Sequence, residues 1–519
     1  MTGQYLLRSM RHNFVVSIAT LFTTLLMALI HAGENGADEN EAVTAIDIGT
    51  RLELLVDQYL IEKLDNARLV LHTPAAREVA IAHNEPWEGN TSGYHTVFRD
   101  GALYRMYYRG HAMTDARGKL EMAHSEVTCY AESVDGIHWT KPQLGLFSWE
   151  GSKENNIILL GDGTHNFCPF KDSHPDCKPE EAYKAVGGTI NTGLLAFKSA
   201  DGIHWSKLRD EPIYQDGAFD SQNVAFWDEA RQRYALYFRF FSKGKLGDGL
   251  RLIATAESKD FLNWTERKPL IYPDSPDQQM YTNQVQPYYR APHILFGFPT
   301  RYVARPLTEH VKQLDPVQLR SKMTKAYERV GTDLTDGLFM TSRDGLKFRR
   351  WDEAFLRPGP QGEGRWMYGD NYQALGLVET TPSIQVGPQE ISLYAEEKAW
   401  RDDRRLRRFA IRVDGFVSAQ APLSGGEVVT KPLKFDGREL VINYATSAAG
   451  SIRVEIQDAE GQAIKGYALA DCPELYGDSI EQAISWKNGS DVDKLSEKVI
   501  RLRFVLKDAD LYSFRIRDK

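Results

Sequence analysis

Cysteine is scarce, with four in 519 residues, too few for a disulfide-stapled scaffold. At positions 129, 168, 177 and 472 they also lack the regular ligand spacing of a zinc site. A surplus of positive charge is missing as well. Lys and Arg number 63 against 71 Asp and Glu, for a net charge of -8, so nothing is present to neutralise a phosphate backbone and nucleic acid is not an expected partner. No long apolar run follows residue 30, which leaves no later helix to cross a bilayer. At roughly 100 to 200 residues per domain, the length predicts two to four domains. What is abundant is aromatic: 24 Tyr, 23 Phe and 10 Trp stand beside 41 Gly, a composition that suits a β-rich protein with many tight turns.

Arg8, Arg11 and His12 precede an apolar run over residues 14–30, followed by His31, Ala32, Gly33 and an acidic stretch. Basic, apolar and small residues in that order form the pattern of a secretory signal, so residues 1–32 are expected to be cleaved after Ala32 and the protein to be secreted or periplasmic. The run also meets the lower limit of about 17 residues for a spanning helix. Left uncleaved, it becomes a membrane anchor, the one route to a membrane. Residues 33–50 are expected to be a flexible segment. In an exported chain Cys168 and Cys177, close together in a Pro-rich stretch, are expected to form a disulfide.

A repeat organises the middle of the chain. Ser-Val-Asp-Gly-Ile-His-Trp at 133–139 returns as Ser-Ala-Asp-Gly-Ile-His-Trp at 199–205. Looser copies stand at 258–264 and 342–348, and a degraded one at 412–416. Their spacing is too long for a hairpin and matches a four-stranded unit with loops. The motif has the chemistry of a turn, in which Asp caps backbone amides and Gly takes positive φ, so His138 and His204 are read as turn residues. Alternating, aromatic-rich strands precede each copy. Each unit therefore reads as strands A, B and C, the turn, then D. Five such units over residues 51–421 describe a β-propeller. The fifth lacks its own strand D, and residues 51–72 are expected to supply it. Residues 307–329 form a helical insertion between strands B and C of the fourth unit. Beyond residue 421 alternating segments predict a small β-sandwich over 422–519, making the fold class all-β.

These features resemble the five-bladed propeller glycosidases, the superfamily of invertases, levansucrases and arabinanases. The likeness covers about residues 52–421. Leu-Leu-Val-Asp-Gln-Tyr-Leu-Ile at 54–61 and Phe-Asp-Ser-Gln-Asn-Val-Ala-Phe-Trp at 219–227 are most similar to exported family-32-like glycosyl hydrolases. The Trp-Met-Asn-Asp-Pro-Asn-Gly signature of invertases is absent, with their Arg-Asp-Pro and Glu-Cys motifs, so neither sucrose-like substrates nor their catalytic triad carries over. The resemblance implies a glycoside hydrolase of a polysaccharide or oligosaccharide, with no cofactor beyond a structural calcium or sodium ion at the axis and no obligatory protein partner.

Such enzymes resemble one another in placing acids at the starts of the innermost strands, around the funnel. Those starts read Glu88 to Tyr94, His165-Asn166, Asp220 to Asn223, Tyr281 to Gln284 and Asp370 to Gln373. Glycosidic hydrolysis needs one carboxyl to protonate the leaving oxygen and another to activate water or attack carbon. Asp220 and Asp370, from blades three and five, are the expected pair, with Glu88 or Glu397 as substitutes. An Asp at a strand start also serves simply to cap a turn. Asn90, Asn223, Asn283, Gln284 and Asn371 are expected to hold sugar hydroxyls. Arg109, His111, Glu121, His124 and Glu126 join the rim from a blade-one loop. Of Glu396 and Glu397, adjacent on one strand, at most one reaches in. Arg301, Tyr302 and Arg305, at the root of the insertion, suit an acidic sugar or simply solvate a helix. No residue set is assigned to a metal. The alternative to hydrolysis is a non-catalytic carbohydrate-binding or adhesive propeller.

Overall fold

The computed structural model describes residues 45–518 apart from 117, 245–246, 363 and 383–386; the expected signal and most of the flexible segment lie outside them. Five four-stranded antiparallel sheets form the propeller. Blade one runs Gly93–Asp100, Leu103–Gly110, Val127–Ser133 and Ile157–Leu160, from the axis outward. Blade two begins at Cys168–Lys171, blade three at Val224–Asp228, blade four at Gln286–Tyr288 and blade five at Val378–Thr380.

The repeated motif is a hydrogen-bonded clasp. In its four copies the Ser hydroxyl bonds the Asp carboxylate, at 2.9 Å from Ser133 to Asp135 and 3.2 Å from Ser342 to Asp344. The same carboxylate oxygen accepts the next two free amides, as in Ile137 and His138 at 2.8 Å. Its second oxygen takes the ring of His138 or His204 at 2.7 Å, or the amide of Asn263, which confirms the histidines as turn residues. Gly136, Gly202 and Gly345 hold φ of +72°, +77° and +81°. In the third copy Phe261 takes that place at φ +66°, a strained conformation offset by burial of its ring against Phe170, Tyr234 and Trp264.

Three of the four clasps also join neighbouring blades through a tyrosine hydroxyl. Tyr107 of blade one donates to the Gly202 carbonyl of blade two at 3.0 Å, and Tyr237 of blade three to Gly345 of blade four at 2.8 Å. Tyr394 of blade five donates to Gly136 of blade one. The degraded fifth copy has Arg412 in place of the serine: its buried Asp414 accepts from Tyr288, Arg290, Asn443 and Ser513, tying blade four to the C-terminal sheet.

The ring closes differently from expectation. Ala75–Ala82, not residues 51–72, supplies the outermost strand of blade five by pairing with Arg405–Arg412. The earlier segments Ile46–Asp47, Glu53–Leu54, Ile61–Asp65 and Arg68–Leu71 join the C-terminal strands in one ten-stranded sheet. Residues 46–47, expected to be flexible, are thus paired with Leu433–Lys434, and the expected separate sandwich is a sheet built from both ends of the chain. Its two long strands, Glu439–Asp458 and Ile500–Arg517, carry much of a core that includes Ile442, Val454, Phe504 and Phe514. The physical reason is that 52–61 is apolar on both faces: Leu52, Leu54 and Val56 pack with Phe296 and Phe416, while Leu55, Leu60 and Ile61 enter the C-terminal core.

At the axis the inner strands converge on an amide network. Gln222 donates to the Thr96 hydroxyl at 2.8 Å, Gln284 to the Gln222 side chain at 2.5 Å and to the Gln373 carbonyl at 2.9 Å. Val97 and Leu375 bond across blades one and five at 2.7 Å. The side-chain oxygens of Gln284 and Gln373 are buried there with no hydrogen-bond partner among the described residues. Cys168 lies buried beside this network, while Cys177 lies by Lys184; both are free thiols, so the expected disulfide is not formed. Cys168 begins the innermost strand of blade two, whereas Cys177 lies in the connection from that strand to Tyr183–Thr189.

Replacing Tyr237 by Phe leaves the buried Gly345 carbonyl without its donor and is expected to cost about 1–3 kcal/mol, read from denaturant unfolding. A variant as stable as the parent contradicts the clasp.

Candidate active site

Above the axial amides lies a cavity of about 430 Å³ lined by residues of all five blades. Blade one contributes Tyr94, Arg109, His111 and Glu126; blade two His165; blade three Asp220; blade four Tyr281; and blade five Tyr368, Tyr372, Glu396, Trp400 and Arg404. The insertion of blade four forms part of the wall. Its hairpin stem, Thr300–Val303 with Leu334–Gly337, carries α1 (Glu309–Gln313), α2 (Val317–Ala326) and α3 (Glu328–Thr332), and brings Tyr327, Arg329 and Val330 to the lining. A wider groove of about 870 Å³, lined by Asn90, Asp115, Lys322 and Asp402 among others, meets the cavity at Met113 and Trp400.

The inner-strand starts reach the cavity through unusual backbone. Tyr94, Asn166, Gln284 and Asn371 all hold positive φ, from 45° to 62°, a conformation that costs energy in side chains other than glycine and persists where packing imposes it. Here the axial network imposes it, and the turn aims Tyr94 into the cavity beneath the Arg109 guanidinium, 4.8 Å from its ring.

Asp220 opens into the cavity with its side chain 52% exposed. Arg239 donates to it at 3.2 Å from below, Tyr281 at 3.5 Å, and the Nε2 of His165 stands 3.7 Å from its other oxygen. Burial works against its charge, but His165 and Arg239 hold the carboxyl well below the usual carboxylate range. His165 bonds Glu126 through Nδ1 at 2.8 Å, and Glu126 takes Arg109 at 3.1 Å. Burial is again opposed, by Arg109 and His165, and Glu126 is brought down to about 2. Between two carboxylates the imidazole of His165 is raised above its ordinary 6.5, although burial acts to lower it. His111 is the reverse case, pushed by burial and by Arg109 down to about 3. Glu396 is buried against Arg404 and accepts the Tyr94 amide at 2.9 Å. Glu397 points the other way, to Arg365, Arg405 and Arg407.

Of the residues expected at the site, the cavity holds Asp220 and not its intended partner. Asp370 is fully buried behind the wall, where its two oxygens accept the backbone amides of Met367 at 2.8 Å and Ala399 at 2.7 Å. Burial lifts it to about 7 against those bonds. The carboxylate serves the loop that presents Tyr368 and Trp400, the turn-capping alternative. Glu88 is buried away from the lining, between Tyr108 at 2.5 Å and Lys141 at 2.6 Å. Asn223 bonds a backbone carbonyl of its own turn, Asn371 donates to the Thr335 and Arg365 carbonyls, Asn283 bonds the Gln222 and Tyr237 carbonyls, and Gln284 belongs to the axial network. Asn90 pins the backbone of Met113 at 2.9 Å through both ends of its amide and lines the outer groove. Arg301 is held by Asp336 at 2.6 and 2.9 Å and lies outside the cavity lining. The role of His165, present in the sequence as an inner-strand start, depends on two residues 39 and 55 positions away, and no spacing signals it.

No protein-family model matches the chain. It is 28% identical over 184 residues to an uncharacterized protein of Mycobacterium tuberculosis strain CDC 1551, covering 34% of this chain and 54% of that one. The match to its counterpart in strain H37Rv is 27% over the same length. The chain therefore spans about half the length of the curated relatives it matches. Among solved structures, a glycoside hydrolase aligns at 14% identity and TM-score 0.41, over 66% of this chain and 92% of that one. The catalytic domain of Coprinopsis cinerea GH62 α-L-arabinofuranosidase aligns at 8% and 0.39, over 66% and 97%. A structure from the GH130 family of mannoside phosphorylases, which contains glycoside hydrolases that target β-1,2 mannosidic linkages in Candida mannan, aligns at 13% and 0.38, over 66% and 94%.

Asp370→Asn places an amide NH₂ against one of two backbone N–H donors. The variant is expected to lose about 1–3 kcal/mol of stability, read as a lowered unfolding midpoint; an unchanged midpoint contradicts the capping role.

Proposed function

We propose that the protein is an exported glycoside hydrolase, acting on an oligosaccharide or polysaccharide whose bond is cut in the five-blade cavity. The observation that carries this reading is the Glu126–His165–Asp220 array. It sets an ionised carboxylate beside a group that keeps a proton near neutrality. Glu126 and Asp220 are held ionised by Arg109, Arg239 and His165 and are poor acids, whereas His165 between them is raised above its ordinary value. At 3.7 Å His165 Nε2 and Asp220 are not bonded to each other, so an oxygen of substrate or water on the cavity side can bridge them.

In this mechanism His165 gives its Nε2 proton to the departing glycosidic oxygen as the bond to the anomeric carbon breaks. Asp220 supports the positive charge that develops on the sugar ring. Water then bonds to the anomeric carbon, and its proton returns to the His165–Asp220 couple. The exposed Tyr327 and half-buried Trp400 of the lining offer ring surface for stacking, and the outer groove gives room for further sugar units. The basic, apolar and small residues of the N-terminus support export. Non-catalytic sugar binding is favoured by one observation, the pairing of every lining carboxylate with a guanidinium.

Asp220→Asn is expected to cut turnover by about 10²- to 10⁴-fold with sugar binding retained. Normal hydrolysis by this variant contradicts the mechanism. For the pH profile the signs are opposite for the two groups. The raised His165 loses its proton, and the enzyme its activity, only above the ordinary imidazole value of 6.5. Asp220 stays ionised until well below the usual carboxylate range. His165→Gln should remove the alkaline limb; a limb that survives the change assigns the proton elsewhere.

A further inference from the structure

The charges on the cavity wall do not cancel. Arg109 is matched by Glu126 at 3.1 Å, Arg404 by Glu396, and Arg239, from below, by Asp220 at 3.2 Å. Arg329 has no carboxylate partner among the described residues. It is half-buried in the lining, and its guanidinium touches only tyrosines. It donates to the hydroxyls of Tyr368 at 3.2 Å and Tyr302 at 3.4 Å and lies 4.5 Å from the Tyr368 ring centre. The aromatic contacts hold the side chain in place and leave its charge unneutralised.

A neutral sugar entering this cavity strips water from Arg329 and offers hydroxyl acceptors in exchange but no countercharge, a weaker return than an anion gives. A sugar carrying a negative group pairs the cation, and the planar fork suits an oxyanion. We infer that Arg329 forms a subsite for an anionic substituent of the sugar, a carboxylate or a sulfate ester, so that the substrate is an acidic glycan. This rests on the cavity being a carbohydrate site and adds the chemical class of the sugar. Arg301, the arginine expected for this task at the root of the same insertion, is consumed by Asp336; the insertion delivers the free cation from α3 instead.

The test is calorimetric binding, measured without turnover. Glucuronate, galacturonate, glucose 6-sulfate, galactose 6-sulfate, glucose and galactose are titrated into the parent protein, Arg329→Met and Arg329→Lys. At least one anionic sugar is expected to bind the parent about 10- to 100-fold more tightly than its neutral counterpart, the worth of a charge-assisted bond, with affinity falling as salt rises. Arg329→Met should erase that preference and Arg329→Lys keep part of it, both variants unfolding near the parent's midpoint. Binding of uronates alone assigns a carboxylate, and of sulfated sugars alone a sulfate ester. The inference is overturned if neutral sugars bind as tightly as anionic ones, if Arg329→Met keeps the preference, or if no anionic sugar binds. The salt dependence of the parent protein stands as a check even if Arg329→Met fails to fold. Anionic binding without hydrolysis of any glycoside removes the catalytic reading and leaves the subsite; hydrolysis of neutral glycosides untouched by Arg329→Met does the reverse.

Discussion

A tyrosine hydroxyl bonded to the glycine carbonyl of the next blade's turn is the joint on which the ring depends. A propeller blade has a polar edge at each turn, and a buried turn carbonyl needs a donor. Tyr107, Tyr237 and Tyr394 supply it across three of the blade junctions. The Asp of the motif keeps the turn closed so that the carbonyl stays in reach. Gly takes the left-handed conformation there, and the clasp is therefore a repeat in sequence because it is a repeat in geometry. At the axis the Gln222, Gln284 and Gln373 side chains perform the same service for the inner ends of the blades.

The cavity inherits its chemistry from that closure. Amides fill the axis and push the charged residues outward, onto the walls, where carboxylates survive burial only beside guanidinium groups. Arg109, Arg239 and Arg404 come from blades one, three and five, and each fixes one acid. The same pairing that stabilises the wall keeps Glu126 and Asp220 ionised, and in the proposed mechanism the proton is carried by His165. Arg329 stands outside this balance because it arrives on an insertion rather than on a blade.

Much of the fold is legible in the sequence. The Ser-x-Asp-Gly-x-x-aromatic turns locate the blades, and the polar clusters after them mark the inner-strand starts, so Asp220 and His165 are placed correctly at the funnel. The strand that closes blade five is not, since the strand-like segment 52–61 is drawn by packing with Phe296 and Phe416 to the C-terminal sheet, and 75–82 takes its place. Asp220 and Asp370 look equivalent in sequence. What separates them is the course of a loop: Asp370 meets two backbone amides from Met367 and Ala399, while Asp220 meets Arg239 and open space. Whether a polar residue at a strand start faces sugar or backbone depends on neighbours far away in the chain, which no local pattern records.

The claim that the cavity cuts glycosidic bonds, and does not merely hold sugars, is tested most directly by isotope transfer. The protein is incubated with a panel of acidic and neutral polysaccharides in water enriched in oxygen-18, and the products are weighed by mass spectrometry. The account predicts shorter chains whose new reducing ends carry one heavy oxygen, from addition of water at the anomeric carbon. Sugar binding with no chain shortened and no label incorporated would contradict it.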